Sequence, residues 1–196
     1  MSGYRYDVFI SYTRRAGNSL RWVRNHFHPR LVDCLGDQLG KPPTVYLDKT
    51  MERGVHWPSD IADALRRTKI MIPICTPPYF LSPWCTAEWA SMRKREELLG
   101  LTGRDRSQGL IYPILFADSN NFPDYARERS WWDFKPWAQP DMVYQQSVEW
   151  LGFHREVEKV AIDLAELLPQ VPAWQDDWPL EPPDPAMPPH VPLPRF

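Results

Sequence analysis

Residues 76–89 read Thr76-Pro77-Pro78-Tyr79-Phe80-Leu81-Ser82-Pro83-Trp84-Cys85-Thr86-Ala87-Glu88-Trp89. The apolar run Ile70-Met71-Ile72-Pro73-Ile74-Cys75 leads into this stretch and predicts a buried strand. A helix follows it, with Ser82 as N-cap and Pro83 at the first helical position, where a missing N–H goes unnoticed. The two prolines and two aromatics between strand and helix predict a stiff, bulky loop. Glu88 lies six residues past the cap. That is too deep for a capping box, which would use the position of Cys85, and beyond most of the helix-dipole benefit. Its local structural reasons are weak, so the other candidate residues are weighed by whether they converge on it.

Working outward, strand-like and helix-like segments alternate. Tyr6-Asp7-Val8-Phe9-Ile10-Ser11-Tyr12 is apolar in the middle and polar at both ends, as a covered first strand should be. Ser19 is read as the cap of a helix with Leu20, Val23, Phe27, Leu31, Leu35 and Leu39 at spacings of three and four. Pro29 should bend or divide that helix. Residues 44–47 predict a short second strand. A helix starting at Pro58 or Ser59 presents Ile61, Ala64 and Leu65. The helix after Pro83 should run to about Leu99. Residues 110–116 predict a fourth strand, with Pro113 best placed near an edge. Residues 117–146 hold no clean period and are expected to be irregular, with one or two short helical turns. Residues 148–168 predict an amphipathic helix with Leu151, Val157, Val160, Ala161, Leu164 and Leu167 inward.

The 22 prolines crowd toward the end. This sets an expected boundary between a folded unit of residues 1–168 and a proline-rich tail of residues 169–196, running extended over the surface or loose. Trp174 and Trp178 are candidates to pin its first half. Alternating strands and helices predict an α/β fold with a parallel sheet wrapped on both faces. Ligands of such sheets sit beyond the carboxyl ends of the strands. The loops at 13–18, 48–57 and 76–82 should therefore meet above the first and third strands, with Glu88 just behind them.

Composition narrows the chemistry. A net charge of −2 gives no reason to expect nucleic acid or an anionic membrane as partner. No run approaches the roughly 20 apolar residues that span a bilayer, and no charged-then-apolar leader opens the sequence. Three irregularly spaced cysteines suit a reducing compartment, and a cytoplasmic location is expected. Neither G-x-G-x-x-G nor G-x-x-x-x-G-K-[ST] follows the first strand, and no G-x-S-x-G elbow exists. A phosphoacceptor would need an acid where Cys75-Thr76 stands. His26 and His28 are two apart on a helix, hence on different faces, and no cysteine pair joins them, so no metal site is expected. There remain arginines (Arg14, Arg15, Arg53) suited to phosphates, flat side chains (Tyr12, Trp57, Tyr79, Trp84) suited to a base, the loop acid Asp48 and the helix acid Glu88.

On these residues the sequence resembles the TIR (Toll/interleukin-1 receptor) domain family. Residues 6–12 resemble its first box. Val45-Tyr46-Leu47-Asp48 with Gly54-Val55-His56-Trp57 is similar to its second strand and BB loop, though Arg53 stands where a proline often precedes the glycine. Ser82-Pro83-Trp84-Cys85-Thr86-Ala87-Glu88-Trp89 is similar to the S-x-W-C-x-x-E segment of the enzymatic branch. Trp131-Trp132-Asp133-Phe134 loosely echoes the third box. The resemblance covers residues 4–168 and implies a flavodoxin-like fold with five parallel strands. It also implies cleavage of NAD+ at the nicotinamide bond, with NAD+ as substrate and no further cofactor.

Carried over by residue, Glu88 is the catalytic glutamate, and Arg14 or Arg15 reaches the phosphates. Trp57 stacks on substrate, and Tyr12, Asp48 and Trp84 complete the binding set. Plainer readings stand beside these. Asp48 can simply start a turn, Trp57 can anchor its loop, Tyr12 can close a strand end, and Trp84 and Cys85 can pack under the helix start. The resemblance further implies self-association through TIR–TIR contacts, in which one copy's BB loop completes the next copy's site. It implies a second protein, activator or product receiver, as in bacterial anti-phage systems. The other class left open is a non-catalytic adaptor. Whether water or an internal nucleophile captures the ribose, giving ADP-ribose or a cyclic isomer, is not written in the sequence.

Overall fold

The computed structural model describes residues 3–47, 59–101 and 109–184. In chain order the elements are β1 (Tyr6–Ser11), α1 (Gly17–Trp22), a π-helical turn (Val23–Phe27), α2 (His28–Leu39), β2 (Val45–Leu47), α3 (Ser59–Arg66) and β3 (Thr68–Cys75). There follow α4 (Pro77–Phe80), α5 (Pro83–Leu98), β4 (Ile114–Leu115), α6 (Asp124–Arg127), β5 (Trp132–Asp133) and α7 (Glu149–Leu167). The strands make one parallel sheet in the order β2-β1-β3-β4-β5, a flavodoxin-like α/β arrangement. The chain leaves β1 for β2 on one side and returns to β3 on the other. The order thus reverses between β1 and β3, which opens a crevice at their carboxyl ends.

Alternation along β1 divides the core. Val8 and Ile10 face one cluster, with Trp22, Phe27, Leu31 and Leu35 of the first helices and Phe153, Val157 and Leu164 of α7. Phe9 faces the other, with Leu65 of α3, Met71 and Cys75 of β3, Tyr79 and Phe80 of α4 and Trp89 and Met92 of α5. Each fully buried side chain of this size stabilises by about 1.5–3 kcal/mol. Ser11, in phase with Phe9, points to the α5 side.

Several sequence expectations are corrected. The long first helix starts at Gly17, and Ser19 caps nothing: its hydroxyl donates to the Ala16 carbonyl at 3.0 Å. Pro29 divides the helix through a π-turn in which the His28 N–H reaches Val23 O. The wider turn accommodates a residue that lacks an N–H and whose ring crowds the carbonyl four residues back. The stretch at 76–82 is no plain loop, since residues 77–80 form α4. Thr76 accepts from the Tyr79 N–H at 3.2 Å, and the prolines fall in the first turn, where they are tolerated.

Pro113 is not at a sheet edge. It stands between the bridge Met71–Ile111 and the two-residue β4, with β5 beyond. Its missing N–H shortens the strand instead. Within 117–146 the short helical turns are joined by the edge strand β5. Leu151, expected inward, is exposed. The buried stripe of α7 begins at Phe153, and two residues earlier is about 200° round the helix. Ser82 does cap α5, accepting from the Cys85 N–H, with Pro83 next.

Beyond α7 the chain crosses the outer side of α3 and α5. Tyr4 Oη donates to Pro172 O at 2.9 Å and Trp174 Nε1 to Arg66 O at 3.3 Å. Trp178 covers the guanidinium of Arg95 at 5.1 Å. The Glu181 N–H donates to Ser91 Oγ at 2.8 Å, and its carboxylate pairs with Lys94 at 2.5 Å.

Candidate active site

The carboxyl ends of β1 and β3 bring three polar groups together. Ser11, the last residue of β1, donates from Oγ to Glu88 Oε2 on α5 at 2.5 Å. Tyr79 Oη of α4 lies 2.8 Å from the same Ser11 Oγ and 3.3 Å from the Cys85 carbonyl. Ser11 and Tyr79 are almost wholly buried, and Glu88 is 7% exposed. Glu88 is therefore no solvated helix acid. It is held under the sheet's crevice, in contact with the strand beside the switch point.

Burial pushes the Tyr79 hydroxyl well above its ordinary value, with Cys85 and the Glu88 charge adding to the effect, so it stays protonated at neutral pH. Burial likewise pushes up the thiols of Cys75 and Cys85. Thiols held in this state pack as small apolar groups and are poor nucleophiles. Among the described residues no cluster of His, Cys, Asp and Glu is arranged to hold a metal.

The other candidates divide. Arg14 is half-buried and Arg15 exposed in the loop that leaves β1, on the same end of the sheet as Ser11. The Arg15 N–H donates to Thr13 Oγ1 at 3.3 Å, which tightens that loop. Trp84 is half-buried on α5, four residues before Glu88, and so shares its helix face. Tyr12 packs instead into the cluster beneath α1, α2 and α7, on the opposite sheet face from Glu88. Asp48 and Trp57 lie outside the described residues. Ser11 is a site residue that no sequence motif singles out, although strand alternation places it on the α5 side. From the sequence Tyr79 is one of several flat side chains, whereas in the structure its hydroxyl is what enters the cluster.

The profile described as "TIR domain" matches residues 8–148. The chain belongs to the TIR domain family. The TIR domain of the Toll-related receptor TRR-2 from Hydra magnipapillata is similar, with 19% identity and a TM-score of 0.44 over 78% of this chain and 98% of that one. The TIR domains of the activated Roq1 resistosome recognising the effector XopQ are similar, with 18% identity and a TM-score of 0.42 over 80% of this chain and 84% of that one. No curated protein matches the chain. TIR domains include both NAD+-cleaving enzymes and adaptors, so family membership alone does not choose between them. Among the described residues no helix is long and apolar enough to cross a membrane.

Proposed function

We propose that this TIR domain cleaves NAD+ at the nicotinamide–ribose bond, with Glu88 as the catalytic carboxylate. One observation carries the reading: a buried acid, fixed by a hydroxyl of β1, at the carboxyl ends of β1 and β3 where the strand order reverses. The nicotinamide of NAD+ is already cationic and leaves neutral. No general acid is needed, unlike ordinary glycosides with their two carboxylates. Positive charge then grows on the ribose. A carboxylate about 4 Å away stabilises it by roughly 4 kcal/mol at an effective dielectric near 20, about a thousandfold in rate. Capture by water gives ADP-ribose, and capture by a nucleophile of the same molecule gives a cyclic isomer.

Arg14 and Arg15 are assigned to the phosphates, and Trp84, Trp57 and Asp48 to the remainder of the substrate, while Tyr12, packed on the other sheet face, is left out of the set. NAD+ as substrate fits a cytoplasmic chain whose described structure leaves all three cysteines free. Self-association through TIR–TIR contacts and work with a second protein of an anti-phage system of bacteria complete the proposal. A second reading, the non-catalytic adaptor, has its own observation: Met142, Val143, Val148 and Leu151 are all exposed within one short stretch, a surface suited to protein contact.

The test is incubation of concentrated protein with NAD+, with products separated by chromatography and Glu88→Gln in parallel. Release of nicotinamide by the wild type alone supports the enzyme. No consumption under assembled conditions leaves the adaptor.

A further inference from the structure

The three polar groups at the end of β1 fix where their protons go. An ionised carboxylate only accepts, so the Ser11 hydroxyl proton is committed to Glu88 Oε2. That leaves Ser11 Oγ as an acceptor facing Tyr79 Oη at 2.8 Å. The single Tyr79 proton goes there and not to the Cys85 carbonyl, which is farther at 3.3 Å and, inside α5, has a helical N–H to accept. The result is a directed chain from Tyr79 through Ser11 to Glu88, drawn from α4, β1 and α5.

We infer that Ser11 and Tyr79 are positioning residues that hold Glu88 ionised and in one orientation for the reaction proposed above, on which the inference rests. A carboxylate that steadies a developing cation must carry its charge before the substrate reacts and must not swing. A hydrogen bond to the charged form favours that form, against the burial that opposes it. Tyr79 polarises the Ser11 hydroxyl and strengthens its bond. Among the described residues, the titratable groups around Glu88 are Tyr79 from α4, Cys85 on its own helix and Cys75 at the end of β3. All three are held protonated by burial. Ser11 is the donor that β1 supplies to this carboxylate. A hydroxyl pair serving only to fasten α5 to the sheet would, on removal, lower stability and leave NAD+ turnover per folded molecule unchanged at pH values where Glu88 is ionised.

The experiment follows the carboxyl carbon of Glu88 by NMR in full-length protein labelled at glutamate, assigned by the signal missing from Glu88→Gln. Titrations of wild type, Ser11→Ala and Tyr79→Phe are set beside pH profiles of NAD+ cleavage. Ser11→Ala is expected to raise the Glu88 midpoint by about one pH unit and to carry the acid limb of the rate profile with it. Tyr79→Phe shifts both the same way by less, and tests the same chain even if Ser11→Ala does not fold. Ser11→Thr, which keeps the hydroxyl, restores the wild-type midpoint. Midpoints in Ser11→Ala and Tyr79→Phe that coincide with the wild type overturn the inference, whatever the activity. A wild type that consumes no NAD+ while the midpoints move overturns the proposed reaction and leaves the hydrogen-bonded chain standing.

Discussion

Helix α5 carries two buried carboxylates eight residues apart, Glu88 near its start and Glu96 near its end, and they are treated differently. Glu96 faces the chain entering the β4 region. Its Oε1 accepts from the Leu110 N–H at 2.7 Å, the Ile111 N–H at 3.0 Å and Arg129 Nη1 at 3.1 Å, while Oε2 meets Arg129 Nη2. Such a group is neutralised by a cation and saturated by donors, which makes it a clamp. Glu88, at the crevice end, accepts from the neutral Ser11 hydroxyl of β1, a contact that orients the carboxylate. The β1 contact aims Glu88 from a neutral donor, whereas the Arg129 contact ties Glu96 down by charge.

The largest effect that breaks or upholds this contrast is Glu88→Gln. The amide is isosteric but uncharged. NAD+ turnover should fall about a thousandfold, while thermal unfolding moves by only a few degrees. Loss of the fold with loss of activity would make Glu88 a second clamp. Glu96→Gln should do the converse. It leaves the Arg129 guanidinium facing an uncharged partner and costs about 3–5 kcal/mol in chemical denaturation, with turnover per folded molecule retained. A smaller effect comes from the tail. Arg95 is fully buried, donates to the Thr68 and Leu65 carbonyls and lies under Trp178. Burial lowers its pKa to about 10, so it remains charged at neutral pH. Trp178→Leu removes the ring that faces this cation and should cost about 2 kcal/mol in stability. It should leave the Glu88 titration unmoved, because Arg95 meets Thr68 at the amino end of β3, whereas Glu88 meets Ser11 at the carboxyl end of β1.

How far the sequence could be read depends on where each feature draws its cause. β1, β3, the start of α5 and most of α7 were legible because their signals are local: apolar runs, Ser82 followed by Pro83, and a stripe from Val157 to Leu167. α4 was not, because two prolines read as a break when Thr76 stands ready to cap them. β4 and β5 are two residues each, too short for any period to show. Ser91 and Arg95 of α5 are covered by a tail more than eighty residues downstream, which local patterning does not convey. Glu88 was found because its position lacked a local reason. Its partners were not, since Ser11 and Tyr79 are 77 and 9 residues away, and only the sheet brings β1 beside α4 and α5.

The smallest expected effect uses β1 itself as the ruler. At its amino end Asp7 is another buried acid, and it is matched by charge as Glu96 is. Oδ1 pairs with Lys69 at 2.8 Å, and Oδ2 accepts from the Thr44 N–H and hydroxyl at 3.0 and 2.9 Å. Burial pushes this carboxyl up, but Lys69 and Thr44 together outweigh it and hold it below the ordinary value. The unfolded chain therefore binds the proton more readily than the folded one. The stabilisation is complete at pH values above the unfolded pKa near 4 and is lost as pH falls through the lowered folded value. Asp7→Asn should reduce stability by about 1 kcal/mol at neutral pH, the pair being partly exposed to solvent. The gap between variant and wild type should close on acidification below about pH 4, as followed by denaturant unfolding at a series of pH values. A gap that persists undiminished at low pH would mean that Asp7 acts through its hydrogen bonds to Thr44 and not through its charge. The strand would then hold neutral-donor carboxylates at both ends, and the contrast with Glu88 would rest on Glu96 alone.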